Sequence, residues 1–188
     1  MRIHFTSIGV AVLGAALALS SCSRQALSAR ASSGAQAGAA VIEGPYFSDG
    51  NHIAEHIVSE IDGTRHTLDV AVYDITDRAI VSALIAARRR GVRVRIVTDA
   101  HQAEEPYSED AWLRRHGVSL RLSAGYRGVN SYMHNKFAVF DGRICETGSF
   151  NWTTSANKFN YENAIFIHDP AVAARYEREF NRIWGQAQ

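Results

Sequence analysis

The chain carries no surplus of charge. Its 188 residues hold 20 basic and 19 acidic side chains, a formal net charge of +1. No strongly basic arm advertises nucleic acid, so any polyanion must be held by a local patch. Cysteine is scarce as well, with only Cys22 and Cys145. Once Cys22 is lipidated or removed, Cys145 stands alone and an intrachain disulfide is excluded. A lone thiol between Ile144 and Glu146 in a predicted strand reads as a small buried hydrophobe. Long apolar runs are missing too: the one from Ile8 to Leu19 is too short to span a bilayer comfortably. A metalloprotease-type helix is also absent. His52 and His56 stand four apart, but no Glu follows His52 directly as a general base, which favours a packed or solvated helix face.

What is present begins with that short apolar run behind Arg2, the pattern of a secretory signal peptide over residues 1–21. Its end, Leu19-Ser20-Ser21-Cys22, resembles the lipobox of bacterial lipoproteins, in which Cys22 is acylated and becomes the mature N-terminus. Ser23 in the next position resembles lipoproteins sent to the outer membrane. The expectation is a protein secreted across the inner membrane and lipid-anchored in the periplasm. Residues 22–40, rich in Ser, Ala, Gly and Gln without apolar period, read as a flexible linker. Residues 41–188 leave room for one domain with a real hydrophobic core.

Within that domain a strand is predicted around Val41 to Tyr46. Asp49 is a candidate N-cap for a helix with Ile53, Ile57 and Ile61 on one stripe. Thr67 to Tyr73 alternates as a strand, Asp77 caps a helix that Gly91 ends, and Val92 to Thr98 is a second strand. Strand, helix, strand in that order predicts a right-handed crossover and a parallel pair. Asp99 and His101 then lie just past a strand end, where open α/β sheets place ligands. Ser108 caps a predicted short helix ending at Gly117, and Ser119 to Leu122 forms a strand. Asp169 and Pro170 start the last helix, which turns Ala173, Tyr176, Phe180, Ile183 and Trp184 to the core. These elements sum to an α/β fold, a mixed and mostly parallel β-sheet flanked by helices on both faces.

The chemistry gathers between Met133 and Asn163. Met133 to Phe140 reads as a strand closed by the Asp141-Gly142 turn, followed by a returning strand over Arg143 to Thr147. Alternation along that strand puts His134 and Lys136 on one face, roughly 7 Å apart along the backbone. A nucleophile or base beside a fixed cation suits a phosphodiester, whose non-bridging oxygens gather charge as it reacts. A metal between them is disfavoured, because Lys136 is a permanent donor whose charge repels a cation.

His134-x-Lys136, four residues and Asp141, then Gly148-Ser149-x-Asn151 and Glu162-Asn163, resemble the HxKx4D signature of the phospholipase D superfamily, and most of all its small single-motif bacterial endonucleases. The resemblance implies an α/β/α sandwich and catalysis without a cofactor. It implies that His134 attacks phosphorus and forms a phosphohistidine, and that Lys136 and Asn151 hold the non-bridging oxygens. Ser149 gives a further hydrogen bond to phosphate, and Glu162 binds the far ring nitrogen of a histidine. Asp141 belongs to the catalytic signature, while its place at a turn leaves a structural role open.

In-line displacement also needs a proton donor for the leaving oxygen, which the family draws from a second HxK motif. This chain has one such motif, since none of its other seven histidines is followed two residues later by Lys. The second imidazole must then be the His134 of another copy, so a homodimer with a composite site is expected. The expected activity is non-specific cleavage of DNA or RNA. A phospholipase D acting on phospholipid head groups is the alternative, and a DNA-binding accessory protein with a vestigial site is the alternative of another class.

Overall fold

A computed structural model describes residues 39–50, 52–128 and 130–188. The predicted signal peptide, Cys22 and almost all of the linker lie outside the described residues. The described chain runs β1 (Val41–Phe47), α1 (Ile53–Gly63), β2 (Thr67–Val72), α2 (Arg78–Arg89), β3 (Arg93–Asp99), α3 (Asp110–Arg115), β4 (Ser119–Ser123), β5 (Lys136–Phe140), β6 (Ile144–Gly148), α4 (Thr154–Lys158), β7 (Asn163–His168) and α5 (Pro170–Gln186).

Seven strands form one mixed sheet in the order β1-β7-β6-β5-β2-β3-β4. Only two pairs are parallel, β2 with β3 through the predicted crossover and β3 with β4. The pairs β2 with β5, β5 with β6, β6 with β7 and β7 with β1 are antiparallel. The mixed α/β architecture stands, but the expectation of a mostly parallel sheet does not. The Asp141-Gly142 hairpin turn reverses the chain between β5 and β6, and a hairpin makes antiparallel neighbours.

Alternation along the strands sends two sets of side chains to two cores. Leu68, Val70, Ala138, Phe140 and Phe166 pack with Ile57, Ile61, Ile80 and Leu84 beneath α1 and α2. On the other face Ala71, Val97, Phe137 and Val139 meet Ala173, Phe180 and Ile183 of α5, with Tyr176 and Trp184 partly buried beside them. Full burial of a side chain such as Phe180 contributes about 1.5–3 kcal/mol. This stripe of α5 is the one its sequence predicts.

The caps of α2 and α5 form as expected. Asp77 accepts from the backbone N–H groups of Ala79 and Ile80, and Asp169 from those of Ala171 and Val172. Two other caps shift. His52, in left-handed conformation, rather than Asp49, precedes α1, and Glu109 rather than Ser108 precedes α3. The short helix α4, capped by Thr153, was not legible in a sequence without an apolar period there. His56 stacks on Tyr46 with ring centroids 3.7 Å apart, which is the packed-face reading of the histidine pair. Cys145 is fully buried, and that burial pushes its thiol pKa up.

Candidate active site

The predicted strand through His134 begins two residues later, at Lys136. His134 therefore stands on the approach to β5, exposed, with Lys136 half-buried at the strand's first position. The pairing expected of them is present: Lys136 Nζ lies 3.1 Å from His134 Nδ1 and 3.0 Å from the His134 carbonyl. Tyr73, at the end of β2, packs under both. Its ring is 4.7 Å from the imidazole by centroids and 5.2 Å from Lys136 Nζ. Burial lowers the His134 pKa, and the adjacent Lys136 charge lowers it further against the opposing pull of Asp99. Burial likewise lowers the pKa of Lys136, which the Glu162 charge partly offsets.

Asp99 is what holds His134 in place. It is fully buried at the C-terminal end of β3, where its Oδ2 accepts from the backbone N–H of Met133 at 2.8 Å. Its Oδ1 accepts from the His101 backbone N–H at 3.0 Å and lies 3.1 Å from His101 Nδ1. The switch-point position named for Asp99 and His101 is thus at the site, with the buried carboxylate binding the residue before the imidazole.

Ser149 and Glu162 form a second group across the ends of β6 and β7. The Ser149 hydroxyl donates to Glu162 Oε2 at 2.5 Å and accepts from the Asn163 backbone N–H at 3.1 Å. Asn160 Nδ2 donates to the other Glu162 oxygen at 3.2 Å. Ser48, following β1, accepts from the Glu162 backbone N–H at 2.9 Å and ties this loop to the sheet edge. Gly148 makes the approach possible, since a Cβ there would sit 2.1 Å from the Asn163 carbonyl oxygen. Glu162 makes no hydrogen bond to His134 within the chain among the described residues. Its link to the pair is its charge beside Lys136.

Asn151 is stitched in from a third direction. Ile75 bridges to Trp152, whose carbonyl accepts from the backbone N–H groups of Thr76 and Asp77, so the loop after Phe150 is bound to the end of β2. The Asn151 Oδ1 atom is buried without a hydrogen-bond partner. Beneath it lies a feature the sequence did not announce. Glu146 is fully buried on β6 with both carboxyl oxygens unpartnered, and burial pushes its pKa up to about 8. The Trp152 indole is near enough to lower that value somewhat, but its N–H falls outside hydrogen-bonding geometry.

Asp141 is placed elsewhere, which corrects its inclusion with the catalytic residues. It lies at the far end of β5 in left-handed conformation, where it accepts from the backbone N–H groups of Arg65, His66 and Thr67 at 2.7–2.9 Å. Burial opposes its ionisation, but those three donors hold its pKa below the ordinary value. The residue joins the β2 entry to the β5–β6 turn. The structure thus brings His134 and Lys136 into contact and Glu162 into electrostatic range. It pairs Ser149 with Glu162, binds the loop of Asn151 and Trp152 to residues 75–77 after β2, and separates Asp141. Sequence reasoning missed Tyr73, for which strand alternation alone carried no marker, and Ser48, whose partner lies 114 residues away.

These groups lie on an open surface. A cleft of about 260 Å³ takes in Phe47, Ser48, Tyr161 and Glu162, while a larger one of about 340 Å³ lies at the opposite end beside Asp141 and Arg143. Among the described residues no group of three His, Cys, Asp or Glu could hold a metal ion.

Residues 57–184 match the family described as cardiolipin synthase, PLD-like domain. The mitochondrial cardiolipin hydrolase of Xenopus laevis is 35% identical over 128 residues, which are 68% of this chain and 59% of that protein. A phospholipase D of Rickettsia felis is 35% identical over 120 residues, 64% of this chain and 58% of that one. The chain spans a little over half the length of these curated relatives. Among solved structures, the phospholipase D family member Nuc from Salmonella typhimurium superposes with a TM-score of 0.73 at 28% identity, covering 79% of this chain and 97% of that one. NucT from Helicobacter pylori shares the fold, with a TM-score of 0.74 at 22% identity over 79% of this chain and 98% of that one.

Proposed function

This chain belongs to the phospholipase D-like family, and on that premise we propose that it is a phosphodiesterase working without metal through a phosphohistidine, with nucleic acid as its substrate. The observation that carries the reading is the 3.1 Å approach of Lys136 Nζ to His134 Nδ1. The lowered His134 pKa favours it, because burial and the Lys136 charge bias the imidazole toward its neutral, nucleophilic form.

An Nδ1 that accepts from the Lys136 ammonium leaves the imidazole proton on Nε2. Attack through Nε2 therefore requires Lys136 to exchange Nδ1 for a phosphate oxygen. Nδ1 then takes the proton and donates it to a carboxylate, the role proposed for Glu162. The Nε2–P bond forms as the P–O bond breaks, and Lys136, Asn151 and Ser149 receive the charge on the non-bridging oxygens. The leaving oxygen takes its proton from the imidazolium of a second copy's His134. That imidazole then deprotonates the water that hydrolyses the phosphohistidine. The open placement of His134, Ser149 and Glu162 suits half of such a shared site.

Nucleic acid is the substrate proposed because exposed aromatic side chains stand near the site. Tyr132 follows the loop into His134, and Phe159 and Tyr161 flank Asn160 and Glu162. Such rings offer faces on which bases stack. The competing phospholipid reading is favoured by the names of the relatives above, which are a cardiolipin hydrolase and a phospholipase D. A vestigial binding protein fits poorly with an intact set of His134, Lys136, Ser149, Asn151 and Glu162.

Purified protein given plasmid DNA and phosphatidylcholine in excess EDTA decides among these. DNA should be nicked and lipid left intact, with no activity in His134→Ala. Lipid cleavage alone sinks the nuclease reading, and activity restored only by added metal sinks the mechanism. Lipid-anchored residence in the periplasm through Cys22 is part of the proposal. Fractionation after osmotic shock should place the wild type with membranes and Cys22→Ser elsewhere.

A further inference from the structure

Exposed arginines gather at one end of the sheet. The row Val41, His168, Ile144, Phe140, Leu68, Val94 crosses the sheet at the end away from His134. Around that row stand exposed arginines: Arg65 before β2, Arg88, Arg89 and Arg90 at the C-terminus of α2, Arg93 opening β3, and Arg143 after Asp141. The last turn of α3 adds Arg114 and Arg115, brought alongside because Arg88 Nε donates to the Gly117 carbonyl at 3.0 Å. Carboxylates stand here too: Glu43 lies 3.1 Å from His168, Asp169 caps α5, and Glu60 is half-buried beside Asp141. Asp141 is taken by three backbone N–H groups, and Asp62 lies 3.6 Å from Arg90. At the other end the loops carry Asp49, Asp74, Glu104, Glu105 and Glu109 together with Arg78, Arg127, Lys136 and Lys158. A near-neutral total thus hides a concentration of exposed arginines at one end of the strands.

The chain also enters the domain at the basic end. Val41, the first residue of β1, pairs with His168 in that same row. The N-terminal apolar run and Cys22 precede it by a short polar linker. A tether from those residues joins the domain at Val41.

We propose that the arginine-rich end rests on an anionic phospholipid bilayer, with the chain arriving from that bilayer and the His134 face turned away. A helix C-terminus already favours cations, which accounts for Arg88 to Arg90 but not for Arg65, Arg93 or Arg143, which come from strand ends and turns. Each arginine held near an anionic surface strengthens binding by about fivefold, and salt screens the effect. Six residues of strand at about 3.3 Å each set the catalytic groups roughly 20 Å from that surface. The reacting phosphodiester then belongs to a soluble polymer rather than to the supporting membrane. This consequence rests on the nuclease reading, but the docking itself does not.

The test is co-sedimentation of the full chain with vesicles of phosphatidylcholine alone or of equal parts phosphatidylcholine and phosphatidylglycerol, at low and high salt. Wild type should favour the anionic vesicles by more than tenfold at low salt and lose the preference at high salt. Arg65→Glu with Arg89→Glu and Arg143→Glu should abolish the preference, leaving binding to neutral vesicles and hydrolysis of a small soluble phosphodiester unchanged. These three side chains make no ion pair among the described residues, and the three Gln substitutions serve if the triple variant melts early. Arg127→Glu, at the other end, should keep the preference. An unchanged preference in the triple variant overturns the proposal. So does loss of plasmid binding with vesicle preference intact, which would assign the patch to nucleic acid. Loss of all cleavage by wild type with the preference retained would strike the catalytic reading alone. Absence of neutral-vesicle binding would strike the Cys22 anchor alone.

Discussion

The Asp99 carboxylate, fully buried at the end of β3, accepts the backbone N–H of Met133 at 2.8 Å and so fixes the residue that precedes the His134 imidazole. A group that never reaches solvent anchors the backbone beside one that must meet substrate and opposes the lowering of its pKa.

That relationship predicts a paired effect of Asp99→Asn. The Met133 and His101 N–H groups bond different Asp99 oxygens, one of which becomes a donating NH2, so an unmatched donor costs about 1–3 kcal/mol of stability. Since the Asp99 charge raises the His134 pKa, removing it lowers that pKa further. Activity needs one neutral His134, lost as pH falls through its pKa, and one protonated His134 in the second copy, lost as pH rises. The acid limb of kcat/KM, already below the ordinary imidazole range, should move to still lower pH. A lower melting temperature with the limb unmoved would reduce Asp99 to a structural residue.

Glu146 predicts an unusual pH dependence of stability. Its folded pKa of about 8 stands above the unfolded carboxylate value of 4.5. Between the two, the folded state holds a proton that the unfolded state has lost. Stability from this group is therefore full below the unfolded value and declines as pH rises toward 8, by up to about 1.4 kcal/mol per pH unit. Glu146→Gln should flatten that decline in urea titrations between pH 5 and pH 8. A slope identical in both proteins would show that the carboxyl is not buried as described.

The shared site predicts a quadratic mixing curve. If each cycle uses the imidazoles of two copies, His134→Ala subunits poison their partners, and removing one member of a catalytic pair costs several orders of magnitude. With random subunit exchange, activity should follow the square of the wild-type fraction. A linear curve, or full activity in a protein that sediments as a monomer, would mean that each chain carries its own general acid. His101, joined to Asp99, is then the first residue to test.

What the sequence determined by itself was whatever neighbours along the chain decide. Asp77 and Asp169 cap their helices because a cap bonds N–H groups two and three residues ahead. The stripe of α5 is legible because its core contacts recur at helical period. His134 and Lys136 meet because two residues of extended chain cannot separate them. Only the tertiary structure decided the rest. Four of the six strand pairings are antiparallel because β5, β6 and β7 insert between β1 and β2, a placement no local pattern encodes. Asp99 reaches Met133 across 34 residues, Ser48 reaches Glu162 across 114, and Asp141 leaves the signature to bind the entry of β2 across 74 to 76. Glu146 reads as an ordinary strand carboxylate until β5 and β7 close over it. A side chain's charge state depends on the solvent its neighbours remove, and those neighbours come from distant parts of the chain.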